Sequence, residues 1–234
     1  MSDSNAKPPS TLNRIASLLT LGPLVITQRL YDQASRIFTG RPIWQYSRIT
    51  PQLYIGGQHR KRGWEEMGTE GITAVVNMRE AHLDDARHGI NSNNYLHLAT
   101  IDNTAPTMED LLKGAKFIDK EIAGGGKVYI HCGIGIGRAP TQAAAYMIYA
   151  GMSADEALNV IRAKRPFIHL TSKQSAQLNA FDKIYRGKGK SDVSEVTAES
   201  PAPEVAPEAV PLPLQQPLDE AVPVEKQTPT VSGS

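Results

Sequence analysis

Through the middle of the chain, short apolar runs of strand length alternate with longer stretches of helical period. Residues 72–78, 95–99 and 127–131 are the strand-like runs. Thr107 followed by Asp110 has the pattern of a capping box and predicts a helix over 108–123, ended by the glycines at 124–126. Ser153 with Glu156 predicts a second helix that runs to about residue 164 and stops before Pro166, and a third spans 173–186 and ends at Gly187. A further helix, over 139–150, follows the strand at 127–131 after a glycine-rich loop. This alternation predicts an α/β domain over residues 43–188, with a mostly parallel central sheet and helices on both faces. No internal repeat is visible.

The two flanks break the pattern. Residues 1–42 form an extension expected to be partly helical, with apolar side chains from Leu12 to Phe38. Its densest apolar part, Ile15 to Ile26, is interrupted by Gly22 and Pro23 and falls short of the roughly 20 residues that span a bilayer. Arg29 and Arg36 punctuate the apolar positions between Leu24 and Phe38, which fits either an interfacial amphipathic helix or a helix packed on the domain. Residues 189–234 hold eight of the sixteen prolines and no aromatic residue, so this acidic, proline-rich tail is expected to be disordered. It reads as a solvated tail or, alternatively, as a docking segment.

Charge sharpens the contrast. Eight acidic residues against Lys226 alone give residues 191–234 a formal charge of −7, so the net +1 of the whole chain leaves +8 on the first 190 residues. A domain that basic attracts anions, whether phosphorylated molecules, nucleic acid or a membrane surface. The single cysteine, Cys132, rules out an intramolecular disulfide and fits a reducing compartment.

Cys132 also stands where chemistry is expected. In the stretch from His131 to Thr141, a strand runs into Cys132, then Gly133, Ile134, Gly135, Ile136 and Gly137, and then Arg138 at the start of a helix. Ligands of open α/β sheets bind beyond the carboxyl ends of strands. Glycines at alternate positions let the backbone curl so that successive N–H groups face one oxyanion, and the helix adds its positive end. A dinucleotide fingerprint would need Gly in place of Arg138, and a nucleotide-triphosphate loop would need Gly-Lys-Ser/Thr at its end; neither is present. A cysteine so placed is favoured as its thiolate, a nucleophile for phosphorus, and Arg138 can set its planar fork on two phosphate oxygens.

His-Cys, five residues and Arg is the signature that this sequence shares with the cysteine-based phosphatases, and the chain resembles their dual-specificity branch in particular. The resemblance extends to residues 49–57, 71–79, the Lys164-Arg165-Pro166 segment and Gln174. It implies a cofactor-free and metal-free hydrolysis of phosphomonoesters through a phosphocysteine intermediate. It also implies an acid on a loop some thirty residues ahead of the cysteine, a place that Asp102 occupies. Asp84 and Asp85 lie farther upstream in a charged segment, and Asp110 reads as a helix cap. His131 would orient the loop. His59, His82, His88, His97 and His169 read as ordinary surface or core residues.

One position departs from the family pattern. A Ser or Thr usually follows the arginine and assists hydrolysis of the intermediate; here it is Ala139, with Thr141 as the nearest substitute. The resemblance implies a phosphorylated substrate and no nucleic acid. The apolar side chains of the loop favour a phosphoprotein carrying phosphotyrosine or phosphoserine/threonine. A phospholipid such as phosphatidylglycerophosphate is the enzymatic alternative, and a phosphate-binding module that no longer turns over is the non-enzymatic one. The expected location is cytoplasmic, with peripheral membrane contact through residues 12–38 as the variant of that reading.

Overall fold

The computed structural model describes residues 22–80 and 94–189. The expectations for residues 1–21, for the tail from residue 190 and for His82, Asp84, Asp85 and His88 lie outside the described residues.

Four strands, β1 (Leu53–Gly57), β2 (Ala74–Asn77), β3 (Tyr95–His97) and β4 (Val128–Cys132), make one sheet in the order β1-β4-β2-β3. Every pairing in it is parallel. β4, buried along its whole length, lies between β1 and β2, with Gly57 opposite Cys132 and Asn77 opposite His131. Parallel strands buried on both faces read as continuous apolar runs, which is how β2 and β4 stand out in the sequence.

Alternate residues of β4 face two different cores. Val128, Ile130 and Cys132 point into the larger one, with Leu53, Ile55, Ala74 and Val76. That core is closed by four helices, α4 (Met108–Ala123), α5 (Arg138–Tyr149), α6 (Ala154–Lys164) and α7 (Ser172–Tyr185). Leu111, Ile118, Ile161 and Phe181 are their buried anchors, each contributing roughly 1.5–3 kcal/mol by leaving water. Tyr129 points to the other face and packs with Tyr54 and Val75 against Trp64 and Met67. These last two belong to α3 (Lys61–Glu70), which the sequence reading did not separate. The signal for α3 was present: Trp64 and Met67 share a helical face, and Gly71 ends the helix with φ 83°.

The helix starts follow their capping residues. Ser153 and Glu156 make a complete capping box on α6, as expected. Thr171 and Gln174 make another on α7, which therefore begins one residue before the expected start. Thr107 caps α4 by accepting from Asp110 N at 3.0 Å.

Before the sheet come α1 (Pro23–Phe38) and the short α2 (Trp44–Ser47). α1 packs on the domain, but in an inverted sense. Its buried residue is Asp32, while Leu24, Leu30, Tyr31, Ile37 and Phe38 are exposed, Phe38 at 85%. No helix among the described residues is long and apolar enough to cross a membrane.

Candidate active site

The loop between β4 and α5 is shaped by what holds its carbonyl groups. Gly133 O accepts from Gln58 N at 3.1 Å, and Ile136 O accepts from His169 N at 2.7 Å. Ile134 O and Gly135 O both accept from the Arg165 guanidinium, at 3.4 and 2.8 Å. A trans peptide is planar, with its N–H opposed to its C=O. With four carbonyls tied outward, the N–H groups of Ile134, Gly135, Ile136 and Gly137 are turned toward the concave side. One of them, Gly135 N, donates to Cys132 Sγ at 3.3 Å.

Of the three loop glycines, only Gly135 is required by backbone conformation. Its φ is 71°, and a Cβ there would run into the Gly56 backbone and stand 2.8 Å from Gly57 N. Gly137 is the N-cap of α5 and brings no capping side chain, unlike Thr107, Ser153 and Thr171 on the helices around it. The first-turn N–H groups of α5 therefore add their positive end to the loop.

Arg138, 6% exposed, opens α5 with its guanidinium held in place. Nη1 donates to Thr100 O at 2.7 Å and to Met78 O at 3.3 Å. Nη2 makes an ion pair with Asp102 Oδ1 at 2.9 Å. Its Nε is buried with no partner among the described residues, so one edge of the fork has a donor to offer an oxyanion.

Cys132, Arg138 and Asp102 thus meet in one cleft of about 160 Å³, also lined by Ile134, Ile136 and Gly137. Asp102 stands on an exposed loop after β3, beside Asn103 in the left-handed region at φ 64°. That loop is pinned from behind: Gln174 Nε2 donates to Thr104 O at 2.9 Å, while Gln174 Oε1 accepts from Thr171 N at 3.0 Å. Gln174 acts here as a strut, and it also lines the cleft.

The supporting residues are placed as follows. His131 lies on the opposite face of β4 from Cys132, buried, with its ring 5.5 Å from Trp64 and stacked on Tyr129. Burial pushes the Tyr129 hydroxyl well above its ordinary range, so it stays protonated and donates to Gly57 O at 2.9 Å. Thr141 Oγ1 donates to Gly137 O at 2.9 Å, committing its proton to the helix backbone. Ala139 is fully buried.

Arg29, Asn103, His169, Thr171 and Gln174 line the cleft without having been singled out for it in the sequence. His169, read as an ordinary residue, lines the cleft and anchors Ile136 O through its backbone. Arg29 reaches the same cleft from α1. It has no ion pair among the described residues, and burial pulls its guanidinium below the ordinary value. Only the helical spacing of residues 24–38 hinted at a contact with the domain. Among the described residues no group of His, Cys, Asp and Glu is placed to hold a metal.

The family model described as dual specificity phosphatase, catalytic domain, matches residues 53–184. The human phosphatidylglycerophosphatase and protein-tyrosine phosphatase 1 is 31% identical over 158 residues, covering 63% of this chain and 78% of that protein. Human dual specificity protein phosphatase 16 is 32% identical over 139 residues, 58% of this chain but 21% of the longer relative. Among solved structures, PTPMT1 in complex with PI(5)P superposes with a TM-score of 0.54 at 26% identity, over 62% of this chain and 97% of that one.

Proposed function

The chain belongs to the dual specificity phosphatase family, and we propose that it hydrolyses phosphomonoesters through Cys132, with a phosphorylated lipid head group as the preferred substrate. The arrangement of Cys132 Sγ under Gly135 N, beside Arg138 whose buried Nε has no partner among the described residues, carries the catalytic part of this reading.

Cys132 as thiolate attacks phosphorus, and the bond from phosphorus to the ester oxygen breaks. Asp102, released from Arg138 by the incoming phosphate and having taken up a proton from solvent, gives that proton to the departing oxygen. The phosphoryl group is then held on sulfur, with its oxygens on the loop N–H groups and on Nε and Nη2 of Arg138. Water, deprotonated by Asp102, attacks phosphorus; phosphate leaves and the thiolate returns.

Two features support the lipid. Arg29, which has no ion pair among the described residues, offers its charge to a second anionic group on the substrate, beyond the phosphate under attack. It sits on a helix whose outward face carries Leu24, Leu30, Tyr31, Ile37 and Phe38, side chains suited to an apolar boundary. The phosphoprotein reading rested on a cleft rim lacking a basic residue within the loop; Arg29 supplies that charge from outside the loop. Phosphoprotein remains the second reading, supported by the protein phosphatases among the relatives.

The test compares phosphate release from phosphatidylglycerophosphate and phosphatidylinositol 5-phosphate in vesicles with release from a phosphotyrosyl peptide, all in the presence of chelator. Faster lipid turnover, lost in Cys132→Ser, is the expected result. Preference for the peptide replaces the lipid reading with the second one. A wild type inert on all three while binding tungstate makes the protein a phosphate-binding module.

A further inference from the structure

Asp32 and Arg165 form a buried ion pair that reaches from the N-terminal helix to the back of the phosphate loop. Asp32 is 6% exposed and Arg165 not at all. Asp32 Oδ2 lies 2.9 Å from Arg165 Nη2, and Oδ1 lies 3.4 Å from Nη1. The same guanidinium gives its Nε to Gly135 O and its Nη2 to Ile134 O, while Nη1 also donates to Tyr46 O at 3.3 Å. Its plane rests over the Phe167 ring, 4.6 Å from the centroid. Every arm of the fork therefore has a stated partner.

The two loop carbonyls that it holds belong to peptides whose opposed N–H groups face the concave side of the loop. The peptide carrying Ile134 O presents Gly135 N–H, which contacts Cys132 Sγ. The peptide carrying Gly135 O presents Ile136 N–H to the concave side. A guanidinium buried without a counter-charge is strongly disfavoured, so Arg165 can keep this position only with an anion beside it. Asp32 is that anion, and its two oxygens also fix the fork's rotation. One turn further along α1, Arg36 Nη1 donates to Gln58 O at 2.9 Å, and Gln58 N holds Gly133 O. α1 thus bears on three of the four outward ties of the loop.

We propose that Asp32 is a positioning residue for the oxyanion cradle, acting through Arg165, so that α1 is a working part of the site although it lies outside the matched catalytic domain. This rests on the reading of the 132–138 loop as the phosphate cradle. Arg165 transmits orientation, and neither residue touches substrate.

The experiment uses the full chain with Asp32→Asn, which keeps shape and loses charge, and Arg165→Lys, which keeps charge and loses the fork. Folded protein is verified by a cooperative thermal transition. Tungstate affinity is read by calorimetry and Cys132 alkylation by iodoacetamide, with kcat and KM on para-nitrophenyl phosphate alongside. Both variants are expected to bind tungstate about tenfold more weakly, equivalent to about 1.4 kcal/mol, to alkylate more slowly, and to lose kcat. Folded variants with the tungstate affinity and alkylation rate of the wild type would reduce Asp32 to a fold residue and overturn the proposal.

Should both variants fail to fold, hydrogen exchange on the wild type decides. Tungstate is expected to slow exchange of the amides of residues 30–36, and an unchanged α1 overturns the coupling. Binding and alkylation require no turnover, so an inert wild type that binds tungstate defeats the hydrolase reading and leaves this one to be judged on the variants.

Discussion

Arg138 and Asp102 are paired at 2.9 Å across the mouth of the cleft, so the proposed acid and the proposed phosphate-binding fork hold one another. The Asp102 side chain is 63% exposed while that of Arg138 is 7% exposed, so water screens the pair from the carboxylate side. A doubly charged phosphate displaces it easily and frees the carboxyl for the leaving oxygen. Asp102→Asn should lower kcat by roughly 10²–10³ while tungstate binds as well as before or better. Steady-state kinetics with calorimetry checks both halves; a variant with nearly full kcat moves the acid elsewhere.

Ala139 brings no hydroxyl to the start of the helix beside Cys132, and Thr141 donates its own hydroxyl proton to Gly137 O. Release of phosphate from the intermediate should then be slow, visible as a burst of alcohol product before the steady rate. Ala139→Ser should raise the steady rate about tenfold, the effect of one added hydrogen bond of about 1.4 kcal/mol in the transition state. Rapid-quench kinetics that show no burst in the parent chain would remove the premise.

Arg29 lines the cleft from another element and has no ion pair among the described residues. Arg29→Gln should therefore lower kcat/KM for substrates with a second anionic group by roughly tenfold, about 1.4 kcal/mol. The effect on para-nitrophenyl phosphate should be small. Equal losses on both would assign Arg29 to the reacting phosphate instead.

Gly135→Ala places a side chain where φ is 71° and the Gly56 backbone stands in the way. The loop would have to leave its outward ties to Arg165, so oxyanion affinity should fall along with turnover. Calorimetry with tungstate on the folded variant reads this directly, and unchanged affinity would contradict the account of the loop.

Acid should weaken the helical layer through two carboxylates. Hydrogen bonds from the Ser153 backbone and side chain hold Glu156 below its ordinary value, and the Arg186 side chain does the same for Asp182, aided by Ala154 N. A carboxyl lowered in the folded state adds stability that is complete above its unfolded value near 4 and is lost as pH falls through the folded one. Glu156→Gln keeps the capping-box geometry without the charge. It should melt below the parent chain at pH 7 and converge with it as pH falls through the lowered folded-state value; a deficit that is the same at both ends would exclude an electrostatic origin.

The sheet and the helices behind it were readable because their signals are local. Val75, Val76 and Ile130 sit in unbroken apolar runs, and Ser153 with Glu156 marks a helix start within four letters. Cys132 and Arg138 were equally visible, since one loop supplies both. Asp102 needed the family pattern, because nothing in its own neighbours says that it meets Arg138. Arg165 and Asp32 were out of reach: the partners stand 133 residues apart, and charge pairing at that distance leaves no periodic trace. Arg29 was missed for a related reason. An apolar stripe on a helix normally marks its buried side, and α1 turns that stripe outward while Asp32 goes in.

The order β1-β4-β2-β3 also sets a schedule for making the protein. β4 is the last strand to leave the ribosome, yet it takes the place between two strands synthesised long before it. Until residue 132 has emerged, β1 and β2 have no common neighbour and each keeps an unsatisfied edge. Sheet completion and placement of Cys132 are therefore one event, and it waits for contacts that are distant in sequence. A nascent chain halted before β4 would expose on β1 and on β2 the edge that the folded protein pairs, and Cys132 reaches its place beside the loop only as that gap is filled.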